Sequence, residues 1–267
     1  MSDRLVLCDL DGVIWLAHRP IPGSVEAVAA LRDASWRVVF VTNNSFSPVS
    51  AVEDSLAAIG IPAEGDVITS AVAGATLVER DERVLVCGGP GIVEAVTRRG
   101  ATVVPHGEVD QDPRAVDAVI VGFHRDFDYE TMRRASASVR AGARLIGTND
   151  DATYPTPDGP IPGGGSILAA VATAAGVAPL VAGKPHEPMA VAVRELVGGV
   201  SSGAVMVGDR PSTDGRFART LQCRYALVRS GVIAPGARLD LDGAADDVDV
   251  HFDVADLAGV ARALSVT

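Results

Sequence analysis

Short apolar runs alternate along this chain with stretches in which apolar residues recur every third or fourth position, the pattern of parallel strands joined by amphipathic helices. Arg4 to Cys8 predicts the first strand. Ser24 predicts a cap for a helix running through Val25, Val28 and Leu31, and Arg37 to Val41 predicts a second strand that delivers Thr42-Asn43-Asn44. Ser47-Pro48 is a helix start and Gly60 a stop, followed by a short strand at Val67-Ile68 and a helix after Thr69-Ser70. From about Arg83 a second series begins. Its strands are Val84 to Cys87, Thr102 to Val104, Ala118 to Val121 and Arg144 to Ile146, with helices at Ile92 to Arg99 and Tyr129 to Ala141. Asn149 to Gly165, rich in proline and glycine, reads as a long irregular functional loop. Beyond it come an Ala-rich helix from Ser166, a helix over Met189 to Leu196, and the strand Ala204 to Val207 ending in Gly208-Asp209. Last come the strand Tyr225 to Val228, leading into Ser230-Gly231-Val232, and a closing helix over Asp256 to Leu264.

Composition narrows the class. With 267 residues and 48% hydrophobic content the chain is long enough for a substantial core. No apolar stretch approaches the roughly 20 residues of a membrane helix, and Met1-Ser2-Asp3-Arg4 lacks a secretory layout, so a cytoplasmic enzyme without a membrane partner is expected. A net charge of −11 disfavours a nucleic acid polymer, which rewards basic surfaces. Cys8, Cys87 and Cys223 are far apart and predict buried thiols, not a disulfide framework or a zinc site.

All but one of the 23 basic residues are arginines; the exception is Lys184, within Gly183-Lys184-Pro185. A compact ammonium fits where a guanidinium does not, which points to a specific use. The other chemistry-bearing residues stand at strand exits: Asp9 and Asp11 after the first strand, Thr42-Asn43 after the second, Asp209 after the strand at 204 to 207. Ligands of open parallel sheets gather outside the carboxyl ends of strands, so these groups can converge across the sequence. Carboxylates brought together repel unless a cation lies between them, and oxygen-only donors suit a hard ion, Mg²⁺ before zinc.

Asp-x-Asp-Gly-Val from Asp9, Thr-Asn-Asn from Thr42, Gly-Lys-Pro from Gly183 and Gly-Asp-Arg-x-x-Thr-Asp from Gly208, in this order and spacing, resemble the haloacid dehalogenase superfamily of hydrolases. Gly147-Thr148-Asn149-Asp150-Asp151-Ala152-Thr153-Tyr154-Pro155 is similar to the cap loop of its NagD-like and 4-nitrophenylphosphatase-like branch. The resemblance implies an α/β Rossmann-like core over residues 1–80 and 180–267 with a large α/β cap inserted at 81–179. It implies a Mg²⁺-dependent phosphatase for a small phosphorylated metabolite, with Asp9 the nucleophile that becomes an aspartyl phosphate and Asp11 the acid and base. Thr42, Asn43, Asn44 and Lys184 would hold the phosphoryl group. Asp9, the carbonyl of Asp11 and Asp209 would hold Mg²⁺, with Asp214 behind them. Asp11 favours phosphate esters over halides, because an alkoxide leaving group needs a proton.

Selectivity is expected on the irregular loop, at Asn149, Asp151 and Thr153. The departures from the family pattern are Pro211-Ser212 and Gly215 around Asp214, which put the role of Asp214 in doubt, and Ser230 where relatives often carry Thr. A phosphotransferase or phosphomutase using the same aspartate is the alternative enzyme, and a non-catalytic phosphometabolite-binding protein the alternative class. An exposed cap face is a candidate homodimer surface. Gly88-Gly89-Pro90-Gly91 lacks dinucleotide-binding spacing, Gly163-Gly164-Gly165 reads as a connection, and the histidines read as structural. Trp15 is expected near the site entrance and Trp36 in the core.

Overall fold

The computed structural model describes residues 4–16, 19–154, 156, 159–232 and 248–265. His18 and Pro155 lie outside the described residues. Two compact units are present: Met1–Thr42 with Ser50–Ile68 and Lys184–Thr267, and Asn43–Val49 with Thr69–Gly183.

The first unit is built on a six-stranded sheet in the order Phe252–Val254, Arg224–Val228, Val205–Gly208, Leu5–Cys8, Arg37–Thr42, Val67–Thr69. Leu5–Cys8 pairs in parallel with Arg37–Thr42 on one side and Val205–Gly208 on the other. All four of its residues are buried, as expected where helices cover both faces of a sheet. Helix Ser24–Asp33 buries Ala27, Val28 and Leu31, one face of a 3.6-residue repeat, and packs against the closing helix Leu257–Ser265. The predicted strands and helices of this unit lie within a residue or two of their expected positions. Trp36 is in the core as expected, and Trp15 is buried too, at 4% exposure.

The second unit carries a five-stranded parallel sheet, ordered Leu180–Val181, Arg144–Gly147, Ala118–Val121, Arg83–Cys87, Thr102–Val103. Its continuous apolar strands feed two cores. Leu85, Cys87, Val119, Val121 and Leu145 face helices Tyr129–Arg140 and Gly164–Ala175, whereas Val84, Val86, Ala118, Ile120 and Ile146 face Ala71, Ala75, Ile92 and Val96. Helix Tyr129–Arg140 is capped by Asp128, which accepts from the Thr131 amide at 2.7 Å. The stretch expected to be irregular contains a two-stranded antiparallel hairpin, Thr153–Tyr154 with Ile161–Pro162. Helix His106–Gln111 and the edge strands Leu180–Val181 and Phe252–Val254 are elements the residue pattern does not reveal, being too short to show a period.

The glycine runs have packing reasons. A side chain on Gly89 or Gly91 would collide with the backbone of Phe46 or Ser47, and Gly91 donates its amide to the Phe46 carbonyl at 2.8 Å. Gly163 and Gly165 are closed in the same way by the backbone of Asp150 to Thr153.

Candidate active site

Three adjacent strands of the first unit, Val205–Gly208, Leu5–Cys8 and Arg37–Thr42, end at or just before Asp209, Asp9 and Thr42. From Leu5–Cys8 the chain first fills the sheet on one side and only later the other, so Asp9 leaves the strand at which the order reverses. The Asp9 amide still belongs to the sheet, donating to the Val207 carbonyl at 2.9 Å. The chain then turns sharply, with the Ile14 amide on the Leu10 carbonyl at 2.9 Å and Gly12 at φ 83°. That left-handed backbone is open to glycine at no steric cost. Asp11 sits in this turn, partly buried, bridged to Trp15.

Lys184 is buried at 1% exposure. Its Nζ donates to Asp9 Oδ1 and to Asp214 Oδ1, each at 2.7 Å. Asp214 arrives through a wide π-helical turn, Pro211–Gly215, held by the Asp214 amide on the Arg210 carbonyl at 2.7 Å. The unusual Pro-Ser and Gly around it therefore accompany a turn that seats Asp214 against the lysine. Its carboxylate also packs over Gly208, where no side chain would fit.

The electrostatics are unbalanced. Asp9, Asp209 and Asp214 each offer a carboxylate oxygen, all within 4.8 Å of one another and all buried. Against them stand the ammonium of Lys184 and, acting on Asp209, the charge of Arg210. Burial pushes the Asp9 carboxyl well above the ordinary carboxylate range; Lys184 opposes this, while Asp214 and Asp209 add to it. Asp209 is pushed up to about 7, by burial first and then by Asp214. Burial pulls Lys184 down, but Asp214 and Asp9 outweigh it and hold the ammonium above its ordinary value. Oxygens on one octahedral ion at about 2.1 Å stand about 3 to 4 Å apart. A converging, oxygen-only donor set with excess negative charge fits a hard divalent cation.

Thr42 is buried at the end of its strand. Asn43 opens the second unit and is tied there: its Nδ2 donates to Asp151 Oδ2 at 3.0 Å, and its carbonyl accepts from Asn149 Nδ2 at 2.8 Å and Ser70 Oγ at 2.6 Å. Asn149 is 4% exposed and also accepts from the Asp151 amide at 3.2 Å. Asn44 Oδ1 accepts from the Phe46 amide at 2.9 Å. Thr153 stands exposed on the hairpin. Residue reasoning did not find this tie between Asn43 and the Asn149–Asp151 segment, nor that Gly12 and Gly231 approach the Asp209 carboxylate so closely that a Cβ on either would collide with it. The one available signal was the repeated pairing of glycine and short polar residues at strand exits.

Residues 6–102 match the family model for haloacid dehalogenase-like hydrolases, and residues 181–257 match a second model of HAD-like hydrolases. The chain is 33% identical over 215 residues to an acid sugar phosphatase of Staphylococcus saprophyticus, covering 79% of this chain and 80% of that protein. It is 35% identical over 230 residues to the 5'-nucleotidase YutF of Bacillus subtilis, covering 85% and 87%. Among solved structures, the glycerol phosphate phosphatase Rv1692 from Mycobacterium tuberculosis in complex with magnesium superposes with a TM-score of 0.85 at 30% identity, over 97% of this chain and 77% of that one. The motifs at strand exits, the lysine between two aspartates and these relatives agree, and the chain belongs to the haloacid dehalogenase superfamily, as a phosphatase of its NagD-like branch.

Proposed function

We propose that this enzyme is a cytoplasmic, Mg²⁺-dependent phosphomonoesterase that works through an aspartyl phosphate on Asp9. The observation that carries the reading is the Asp9 carboxylate at the exit of the central strand, with Lys184 Nζ 2.7 Å from its Oδ1. An anionic nucleophile approaches an anionic phosphate only where positive charge offsets the repulsion. Lys184 supplies part of that charge, and Asp9, the Asp11 carbonyl and Asp209 would hold the cation that would supply the rest. Asp214 holds Lys184 in place from the far side.

In the first step an Asp9 oxygen forms a bond to phosphorus as the bond to the ester oxygen breaks, and Asp11 gives its proton to the departing alkoxide. In the second, the Asp11 carboxylate takes a proton from water, the resulting oxygen attacks phosphorus, and inorganic phosphate leaves with Asp9 restored. Thr42 and the chain that follows it at Asn43 and Asn44 hold the phosphoryl oxygens. Domain roles follow the same reading: the segments 1–80 and 180–267 carry the chemistry and the inserted segment 81–179 forms the cap. The three free cysteines suit a reducing compartment, and no helix among the described residues is long and apolar enough to cross a membrane.

The substrate is a small phosphorylated metabolite of the sugar phosphate, glycerol phosphate or nucleotide class, in keeping with the named activities of the relatives. We place selectivity on the Asn149–Thr153 segment, where Thr153 is exposed, Asp151 is partly exposed, and buried Asn149 holds the segment to Asn43. The test is a phosphometabolite panel assayed for phosphate release in Mg²⁺ and in chelator, with acid-quench trapping of the phosphoenzyme. Turnover without a trapped phosphoenzyme, or in the Asp9→Asn protein, would remove the mechanism. Release of a new phosphate ester in place of inorganic phosphate would mark a transferase.

A further inference from the structure

Asp209 leaves the strand Val205–Gly208, whose neighbours in the sheet are Leu5–Cys8 and Arg224–Val228. The loops that follow these two flanking strands close over its carboxylate. From one side comes Gly12, from the other Ser230-Gly231-Val232. The Val232 amide donates to Asp209 Oδ2 at 2.7 Å. Gly12 and Gly231 both approach so closely that a Cβ on either would run into that same Oδ2. A Cβ on Gly12 would also lie 2.6 Å from Asp209 Cγ and 3.0 Å from the Gly231 Cα. The two loops are joined directly, because Ser230 Oγ donates to the Gly12 carbonyl at 2.7 Å across 218 positions of sequence.

We infer that Ser230, Gly231 and Val232, fastened to Gly12, form a backbone clamp that fixes the Asp209 carboxylate and thereby sets how tightly the enzyme holds its divalent cation. The inference rests on the metal reading proposed above. An aspartate side chain has two free torsions, and an ion must order them on binding. Here one oxygen is already engaged by an amide and walled by two α-carbons, so the carboxylate stays turned toward Asp9 and Asp214, whose oxygens lie within 4.8 Å of it. The clamp works only with hydrogen at the α-carbon of Gly231, and only while Ser230 keeps its loop on Gly12. Gly12 needs glycine for its φ of 83° as well as for space. Gly231 lies outside the left-handed region, so its requirement is one of space alone. These are positioning residues, acting on the cation through Asp209.

The experiment is calorimetric titration of Mg²⁺ into the full-length protein and its Ser230→Ala, Ser230→Thr and Gly231→Ala variants. Beside it run the Mg²⁺ concentration for half-maximal phosphate release and thermal melting in chelator. Ser230→Ala is expected to weaken Mg²⁺ binding about 3- to 10-fold, one hydrogen bond's effect. Ser230→Thr, which keeps the hydroxyl, is expected to stay within about twofold of the parent. Gly231→Ala is expected to weaken binding about 10- to 100-fold, the usual effect of losing an outer partner of a metal ligand. In each, kcat at saturating Mg²⁺ falls less than the affinity does.

A serine that only held the fold would lower the melting point in chelator and leave the affinity alone, and that result overturns the clamp. If Gly231→Ala does not fold, the Ser230 pair decides: weakening in Ala with recovery in Thr supports the clamp, and parent-like affinity in both overturns it. Tight binding by the parent with unchanged variants overturns the clamp alone. A parent that takes up no Mg²⁺ and turns over in chelator overturns the metal reading and the clamp with it.

Discussion

Replacing Lys184 by Met removes one charge and keeps the length of the side chain. The ammonium is 1% exposed and lies 2.7 Å from two carboxylates, so its loss leaves Asp9 and Asp214 facing each other, with Asp209 nearby, and no protein cation between them. Each contact is worth about 6 kcal/mol of bare attraction at 2.7 Å and an effective dielectric of about 20, most of it offset by the cost of burying the ammonium. Removing one partner of such a buried set costs about 3 to 5 kcal/mol. That cost depends on pH. Asp9 and Asp209 already sit above the carboxylate range, Asp209 at about 7, and without Lys184 Asp9 rises further. A carboxylate whose folded value is raised binds more protons folded than unfolded, so stability is fullest below its unfolded value near 4 and is lost as pH climbs through the folded value. The deficit of Lys184→Met is therefore expected to be largest at pH 8 and to shrink toward pH 5. Urea unfolding in chelator at both pH values measures it. A loss under about 1 kcal/mol at pH 8, the size of an exposed pair, or a larger deficit at pH 5 than at pH 8, would refute this account of the site. Turnover in Mg²⁺ should fall by about 10³ or more, and Lys184→Arg should not restore it, since a guanidinium does not fit the place of a buried ammonium.

Three further outcomes are expected. Asp9→Asn abolishes turnover by many powers of ten while keeping the side-chain volume; circular dichroism and phosphate release check both halves. Asp11→Asn slows phosphoenzyme formation from alkyl phosphates more than from 4-nitrophenyl phosphate, because nitrophenolate leaves without a proton, and rapid-quench kinetics on both substrates would show equal losses if Asp11 is not the acid. Asn149→Ala loses a buried hydrogen bond to the Asn43 carbonyl and lowers kcat/KM for all substrates together by about tenfold, whereas Thr153→Ala, at an exposed position, changes only the metabolite; a substrate-selective loss in Asn149→Ala would place that side chain in substrate recognition.

The sequence alone determined the α/β class and the family. Continuous apolar strands such as Leu5–Cys8 and Ala118–Val121 are buried on both faces, and a pattern imposed by burial on every residue is visible without the fold. The motif aspartates were legible for a similar reason, since a strand exit in a parallel sheet fixes where a side chain can act, and Lys184 because it is the one lysine among 23 basic residues. What the residue pattern did not carry was the partnership among distant positions. Asn149 and Asp151 read as free polar residues on a loop, and the structure engages both with Asn43, more than 100 positions away. Asp214, doubtful because of its Pro and Gly neighbours, is placed on Lys184 by a wide helical turn whose geometry no local propensity encodes. Gly12 and Gly231 carry no side chain to announce them. Their role is the space they leave for Asp209, and that space exists only once strands from the two ends of the chain lie on either side of Val205–Gly208. Local pattern reports what each residue needs from its own surroundings; which residues meet at the carboxyl ends of the strands is set by strand order, a property of the whole chain.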